Sequence, residues 1–286
     1  HGVAPRRGTV ACMAMDKDQL HKSDEHNARG IELADRGWLE EAAKEFQKAI
    51  ALDPDSAHAH DNLANVFAER GQFLEALQEY LTAIQLEPQA PTAHYNLACF
   101  LAAHAHDLAV HQFKASIELE YDYPDAHLNL GLTYAERGMY EEAIQEYLAA
   151  LKLQPNDPVA HHELATVLMD MGRYGEAVGH LKSVLKADAD NVDGLIDLGI
   201  CYTAKGFYAE AHRHLRRAET LSPEDALCHY YLAGLAAAQH QTDEALGHLK
   251  RAATREPERV RMWADSDRLF DALRADGRFQ DILRPS

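Results

Sequence analysis

The chain has 286 residues, of which 47% are hydrophobic and 26% are charged, a composition typical of a soluble folded protein. Its 46 Asp and Glu residues outnumber its 28 Lys and Arg residues, giving a formal net charge of −18. We therefore expect no nucleic acid partner, because nucleic acid binding rewards clustered positive charge. We also expect no membrane span, because apolar residues nowhere run for the eighteen positions that a spanning helix needs.

The first 22 residues carry no repeat, and we expect them to be a disordered or tag-like lead. The segment Thr9-Val10-Ala11-Cys12 is faintly similar to a lipoprotein cleavage site, but the apolar stretch that such a signal requires is missing. The four cysteines are scattered and show neither a CxxC motif nor the spacing of a disulfide framework. Reduced thiols and a cytoplasmic location are the resulting expectation.

Seven alanines mark an internal repeat. They recur at intervals of 34, 33, 34, 34, 34 and 34 residues, at Ala42, Ala76, Ala109, Ala143, Ala177, Ala211 and Ala245. A period in this range is typical of solenoid proteins, in which each unit buries its apolar face against its neighbour. The repeat therefore predicts an all-α solenoid rather than two globular domains.

Residues 57–90 show the structure predicted for one repeat. Apolar positions in its first half follow the i, i+3, i+4, i+7 spacing of one helix face. Gly71 predicts the end of that helix and a tight turn, since glycine readily adopts the left-handed conformation that closes a helix. A second amphipathic helix follows from Phe73, and Pro88 prevents it from continuing into the next repeat. Each unit is therefore predicted to be a helix-turn-helix hairpin.

These positions resemble the tetratricopeptide repeat (TPR). In the unit that begins at Pro124, the family pattern falls on Leu130, Gly131, Tyr134, Gly138, Ala143, Tyr147, Ala150 and Pro155. The resemblance implies a right-handed superhelix of about seven helix-turn-helix units over residues 23–257. We number them repeats 1 to 7, with predicted bounds 23–56, 57–90, 91–123, 124–157, 158–191, 192–225 and 226–257. Residues 258–286 are then expected to form a helical cap on the last repeat.

Two repeats depart from the pattern at their turns. Repeat 3 is one residue short, lacks the turn glycine and carries Tyr121 where proline is usual, so we expect its turn to be irregular. Repeat 7 carries His240 where the turn glycine normally stands.

The resemblance implies that first helices line a concave groove, where three asparagines share one repeat position. They are Asn62, Asn96 and Asn129. A carboxamide both donates and accepts hydrogen bonds, so such a row can hold an extended peptide by its backbone without reading its side chains. The row is similar to the asparagine ladder in the repeat domain of O-GlcNAc transferases, but it covers three units only. Solvated polar residues on a helix face are the alternative interpretation.

Acidic and polar residues dominate the remaining groove positions. The peptide-binding candidates, beside the three asparagines, are Asp61, Asn65, Glu69, Tyr95, Glu136, Glu163, Asp170 and Asp197. Chaperone-binding members of the family instead use basic residues and asparagine to clamp an acidic C-terminus. A carboxylate clamp is therefore not expected, and the ligand is predicted to be a neutral or basic peptide or protein.

Histidines are frequent but are not arranged as metal ligands in the sequence. Five of them share one repeat position, where a packed and hydrogen-bonded imidazole is expected: His60, His94, His127, His161 and His229. Other pairs are spaced i, i+2, which points the side chains apart on a helix. No phosphate loop, HExxH or GxSxG motif is present. No metal, cofactor or catalysis is expected.

The function that these features favour is a non-enzymatic scaffold or adaptor that binds peptide segments or partner proteins in its groove. Self-association into a structural platform is one alternative. Another is the substrate-recruiting part of a glycosyltransferase-like enzyme, whose catalytic domain the residues after 257 are too few to supply.

Overall fold

A computed structural model describes residues 17–103 and 105–284, and every regular element within these ranges is a helix. Cys12 and its lipoprotein-like context lie outside the described residues. The chain divides into two compact segments, an N-terminal segment up to Asp122 and a C-terminal segment from Tyr123. The division follows Tyr121, the residue that replaces the usual proline at the end of repeat 3.

The N-terminal segment holds three helical pairs, one in each of repeats 1 to 3. They are α1 Lys17–Asp35 with α2 Leu39–Leu52, α3 Ala57–Glu69 with α4 Phe73–Leu86, and α5 Pro91–Ala102 with α6 His106–Leu119. The most extensive contacts are within each pair, and α2 and α4 also pack against the first helix of the following pair. Side by side, α1 contacts α3 and α3 contacts α5.

The C-terminal segment holds four further pairs and three short helices. The pairs are α7 Pro124–Glu136 with α8 Tyr140–Leu153, α9 Pro158–Asp170 with α10 Tyr174–Ala187, α11 Val192–Ala204 with α12 Tyr208–Leu221, and α13 Ala226–Ala238 with α14 Thr242–Arg255. The short helices are α15 Pro257–Ser266, a 3₁₀ helix Arg268–Leu273 and α16 Gly277–Leu283. The expected all-α architecture of consecutive helix-turn-helix units is confirmed. The handedness of the superhelix stays a prediction.

Within each pair, a small residue of the first helix faces a large side chain of the second. A Cβ atom placed on Gly131 would lie 2.6 Å from Cε1 of Tyr147, and one on Gly199 would lie 2.4 Å from Cγ of Leu215. Neither distance leaves room for a methyl group. The seven alanines that define the repeat are all fully buried, one helical turn before these large side chains. Small residues on both helices thus allow the close approach on which each hairpin depends.

The three short helices cover the end of the last repeat. Val260, Phe270 and Phe279 are buried in one apolar cluster with Tyr230 and Leu249 of repeat 7. The Tyr230 hydroxyl donates a hydrogen bond to Asp267 Oδ2 at 2.8 Å. This terminal segment therefore excludes water from the outer face of α13 and α14.

Two predicted boundaries need correction. Residues 17–22 are not a disordered lead, because α1 already begins at Lys17, six residues before the predicted start of repeat 1. Proline at the first turn does not interrupt a helix, so α15 begins at Pro257, one residue before the predicted cap. Residues 1–16 lie outside the described part of the chain.

His240 occupies a turn position that is glycine in five other repeats, and it adopts the same backbone conformation. Five turn glycines have φ between 70° and 76°, and His240 adopts the same left-handed conformation with φ of 60°. The hydrogen bonds also match, since Gln241 N bonds to Ala236 O at 2.9 Å just as Gln72 N bonds to Phe67 O at 2.8 Å. His240 therefore bears the steric cost that glycine avoids.

Replacing this histidine should stabilise the protein. We expect His240→Gly to raise the free energy of unfolding by about 0.5–1 kcal/mol, because the left-handed turn would no longer crowd a Cβ atom. The reverse change, Gly206→His, places the same strain in repeat 6 and should lower it by a similar amount. Urea denaturation followed by circular dichroism measures both, and a destabilised His240→Gly would contradict this explanation.

Candidate functional site

In the N-terminal segment, asparagines connect the first helices of successive repeats. The Asn62 side chain on α3 donates from Nδ2 to Asn27 Oδ1 on α1 at 3.1 Å. One repeat further on, Asn96 on α5 donates from Nδ2 to Asp61 Oδ2 on α3 at 2.6 Å. Both bonds span 35 residues, which is one repeat plus one position. We call the surface formed by these polar side chains on α1, α3 and α5 the first-helix face.

These bonds orient the two asparagine amides without using them fully. Asn62 and Asn96 are half-buried, and each commits one Nδ2 hydrogen to its neighbouring helix. Within the described part of the chain, Oδ1 and the second Nδ2 hydrogen of each take no protein partner. A primary amide with one free acceptor and one free donor can bond both polar groups of a peptide link.

Asp61 is the electrostatically unusual residue of this face. Burial raises the pKa of its carboxyl to about 6, against the opposing effects of the Asn96 hydrogen bond and of nearby His58. One oxygen accepts from Asn96, whereas the other is buried without a hydrogen-bond partner. At neutral pH the group is therefore a carboxylate that the folded state solvates poorly.

Asn65 serves the interior of its own repeat. The Tyr80 hydroxyl of α4 donates to Asn65 Oδ1 at 2.6 Å, so the amide satisfies a buried phenol. The equivalent tyrosine in repeat 4 is Tyr147, which is fully buried, and its hydroxyl has no partner. Leu132 stands where Asn65 stands in repeat 2, which explains the difference.

The remaining candidates of repeats 2 and 3 differ in exposure. Glu69 is exposed at the last position of α3. Tyr95 packs edge-on against Phe113, with ring centroids 5.9 Å apart, so it contributes to the hairpin of repeat 3.

The C-terminal segment holds the other candidates. Asn129 donates from Nδ2 to the Asp125 carbonyl of its own helix at 2.9 Å. Asp197 accepts from His162 Nε2 at 3.0 Å, and this hydrogen bond raises the pKa of His162. The remaining three are acids, with Glu163 half-buried and Glu136 and Asp170 exposed at helix ends.

The sequence analysis missed one acceptor and one donor that complete these connections, Asn27 and His162. Asn27 and His162 occupy the repeat position immediately before the asparagine row, and both bond to the following repeat. A search for polar residues 35 positions apart, rather than at the repeat interval itself, identifies these pairs.

The expected hydrogen-bonded imidazoles are present at the shared histidine position. His60 Nδ1 bonds to Glu79 at 2.5 Å, His127 Nδ1 to Glu146 at 2.7 Å, and His94 Nδ1 to Gln112 at 2.7 Å. In repeats 5 and 7 the second partner is itself a histidine. Among the described residues, a group of three potential metal ligands occurs at Glu219, His229 and His248.

Two sequence profiles match the chain over most of its length. One described as TPR repeat matches residues 30–69, 64–100 and 131–172, and one described as tetratricopeptide repeat matches residues 162–226 and 202–259. The chain belongs to the tetratricopeptide repeat family. The family's proteins are commonly protein-interaction scaffolds and its repeats are generally non-catalytic modules. No curated protein matches the sequence.

Solved structures of tetratricopeptide proteins share the fold. PilF of Pseudomonas aeruginosa is similar with a TM-score of 0.65 at 22% identity, over 74% of this chain and 96% of that chain. YrrB, described as a TPR protein with an unusual peptide-binding site, gives 0.57 at 24% identity, over 65% of this chain and 96% of that chain. A tetratricopeptide repeat protein of Parabacteroides merdae gives 0.60 at 17% identity, over 92% of this chain and 98% of that chain. At these identities the likeness concerns the tetratricopeptide fold alone.

None of the helices in the described ranges of this tetratricopeptide protein is long and apolar enough to cross a membrane.

Removing the charge of Asp61 should stabilise the protein at neutral pH and not in acid. The raised pKa means that the folded state favours the protonated carboxyl, so the penalty exists above pH 6 and disappears as the pH falls towards 4. Asp61→Asn, which reproduces the Asn27–Asn62 pairing, should raise the free energy of unfolding by about 1–2 kcal/mol at pH 7.5. Denaturation curves at both pH values test this, with exposed Asp55→Asn as control. A gain that persists at pH 4 would contradict it.

The two equivalent tyrosines should respond differently to loss of the hydroxyl. Tyr80→Phe leaves Asn65 Oδ1 without its donor and should cost about 1–2 kcal/mol. Tyr147→Phe removes a buried hydroxyl that has no partner, and should leave stability unchanged or increase it. Thermal unfolding of both variants provides the comparison, and equal destabilisation would show that the hydroxyls have equivalent environments.

Proposed function

We propose that the protein is a non-enzymatic scaffold or adaptor that binds an extended peptide segment of a partner protein on its first-helix face. The observation that supports this most directly is the pair of amides at Asn62 and Asn96, each held by a neighbouring helix with one donor and one acceptor free. Pre-oriented amides lose little side-chain freedom on binding, which favours their use in recognition.

The spacing of helices suits a peptide in extended form. Packed helices lie about 8–10 Å apart, whereas an extended chain advances about 3.3 Å per residue. Equivalent amides on successive first helices would therefore meet about every third peptide link. Since each amide bonds the backbone, affinity does not require a particular side chain at those positions.

The charge of the candidate face favours a neutral or basic ligand. Glu69 is exposed at the end of α3. Asp61 precedes Asn62 on the same helix and accepts the hydrogen bond from Asn96. The chain as a whole carries a formal charge of −18. Lysine or arginine in the bound segment would be attracted, whereas an acidic segment would be repelled.

The C-terminal segment offers a second set of contacts, in which Asn129 is bonded within its own helix rather than to a neighbouring one. Asn129, Glu136, Glu163 and Asp170 are proposed to contact ligand there, while Asp197 is committed to His162. Self-association stays the alternative to a foreign partner. A reducing compartment such as the cytoplasm is proposed because Cys201 and Cys228 are buried and unpaired.

Peptides selected against the intact protein from a random-sequence display library test the proposal. We expect the double variant Asn62→Ala with Asn96→Ala to bind the selected peptides about 10- to 100-fold more weakly. Each substitution removes an amide whose hydrogen bonds to the peptide contribute about 1 kcal/mol or more. Asn156→Ala, in an exposed turn, is the matched control and should not change affinity. Fluorescence anisotropy gives the dissociation constants.

The same titrations reveal the electrostatic contribution. Binding of the selected peptides should weaken as salt is raised from about 0.05 M to 0.5 M, since screening shortens the reach of exposed charges. Selected peptides that are mostly acidic, or affinities unchanged in the double variant, would refute this mode of binding.

A further inference from the structure

Repeat 7 departs from a hydrogen-bonding pattern that repeats 1, 2 and 4 share. In repeat 2, His60 Nδ1 bonds to Glu79 of the second helix, and His60 Nε2 bonds to the Pro54 carbonyl at 3.2 Å. The same histidine-to-carboxylate contact recurs in repeats 1 and 4. Repeat 7 keeps the first histidine, His229, but carries His248 where the carboxylate belongs.

The exchange brings two imidazole nitrogens together. His229 Nδ1 lies 3.2 Å from His248 Nδ1, and both side chains are buried. A third group comes from α12 of the preceding repeat, since Glu219 Oε1 lies 3.8 Å from His229 Nδ1. All three potential ligand atoms lie within 4.8 Å of one another.

We propose that Glu219, His229 and His248 form a zinc-binding site that joins repeat 6 to repeat 7. Two imidazoles and one carboxylate are a ligand set that zinc accepts, with a fourth position open to water. Zinc–nitrogen bonds of about 2.0–2.1 Å in a tetrahedron separate neighbouring ligand nitrogens by about 3.3 Å. The distance between the two Nδ1 atoms already fits that edge.

A neighbouring carbonyl holds the first histidine in the tautomer that zinc requires. A backbone carbonyl only accepts, so His229 donates from Nε2 to the Pro223 carbonyl at 2.9 Å and presents the lone pair of Nδ1. His248 Nδ1 therefore carries the hydrogen of the 3.2 Å contact, and zinc binding requires this hydrogen to leave Nδ1 and Nε2 to be protonated instead. Glu244 Oε1 lies 4.0 Å from that Nε2. Such outer contacts are a regular feature of histidine ligands to metals.

Two arginines contact the proposed carboxylate ligand. Arg216 Nη1 holds Glu219 Oε2 at 2.8 Å and leaves Oε1 directed towards His229. Arg251 Nη1 lies 3.4 Å from Oε1, and its side chain is 65% exposed, so it can turn into solvent when the ion binds.

A cavity lies against the proposed site. The cavity measures about 390 Å³ and is lined by Glu219, Pro223, Glu224, His229, Arg251, Thr254 and Arg255. Two of the three proposed ligands thus form part of its wall.

Repeat 5 provides an internal control. His161 Nδ1 and His180 Nδ1 lie 3.0 Å apart in the same arrangement, and His161 Nε2 bonds to the Pro155 carbonyl at 3.1 Å. The position equivalent to Glu219 is occupied there by Leu151, which is buried and cannot bind a cation. Two histidines without the carboxylate should hold zinc far more weakly.

Titration of the intact protein with zinc chloride tests the proposal. Isothermal calorimetry should detect one high-affinity zinc ion, and long-range nitrogen–proton NMR should show ligation at Nδ1 of His229 and His248. His248→Gln restores the neutral pairing that His94 and Gln112 already make, so the hairpin is expected to fold while zinc affinity falls at least about 100-fold. Glu219→Gln should weaken binding at least about 10-fold.

His180→Gln is the matched control in repeat 5, and it should leave the high-affinity titration unchanged. Zinc should also raise the melting temperature of the wild type but not of His248→Gln, because only the complete site joins α12 to α13 and α14. Circular dichroism confirms that each variant is folded. Absence of a high-affinity ion in the wild type, its persistence in His248→Gln, or its equal loss in His180→Gln would overturn the assignment.

Discussion

The hairpin geometry depends on contact between a small residue of each first helix and a large side chain of the second. At Gly131 and Gly199 even one methyl group would collide with the facing residue. Because that contact fixes how closely the two helices approach, it also fixes which first-helix residues remain outside the interface. Asn62 and Asn96 lie next to Leu63 and Leu97, which are buried in the core, and this position keeps their amides at the surface. Packing inside the repeat thus determines what is available for binding.

Much of the fold could be predicted because the same sequence signals recur in successive repeats. The alanine interval, the turn glycines and the prolines independently indicate helix ends, so errors at one repeat are corrected by the others. The start of α1 was predicted six residues too late because residues 17–22 carry none of the positions that define the repeat. His240 adopts the left-handed turn without being glycine, and the backbone hydrogen bonds of that turn match those of the glycine turns.

The candidate site was less predictable, since its properties depend on neighbours from other repeats. The sequence shows that Asn62 and Asn96 share a position, but the residues that bind them come from a different position. Likewise, Asn65 was grouped with ligand-binding residues, whereas the tyrosine that uses it lies on the second helix. The two facing histidines of repeat 7 are 19 residues apart, and no local spacing rule marks them as a pair. Side-chain partnerships across helices require the register between those helices, which periodicity alone does not give.

The hydrogen bonds between neighbouring first helices differ in whether they contain a titratable group. The strength of the contact between repeats therefore depends on pH at some repeats and not at others. The Asn27–Asn62 bond contains no titratable group, so protons do not affect it. The His162–Asp197 contact changes from a hydrogen bond donated by an uncharged imidazole to an ion pair as the pH falls through the raised pKa of His162. In a repeat protein, where stability is the sum of local terms, mild acid would therefore tighten one joint and leave another unchanged. The contact between repeats would strengthen at one place along the chain and stay the same at another, without any change in fold.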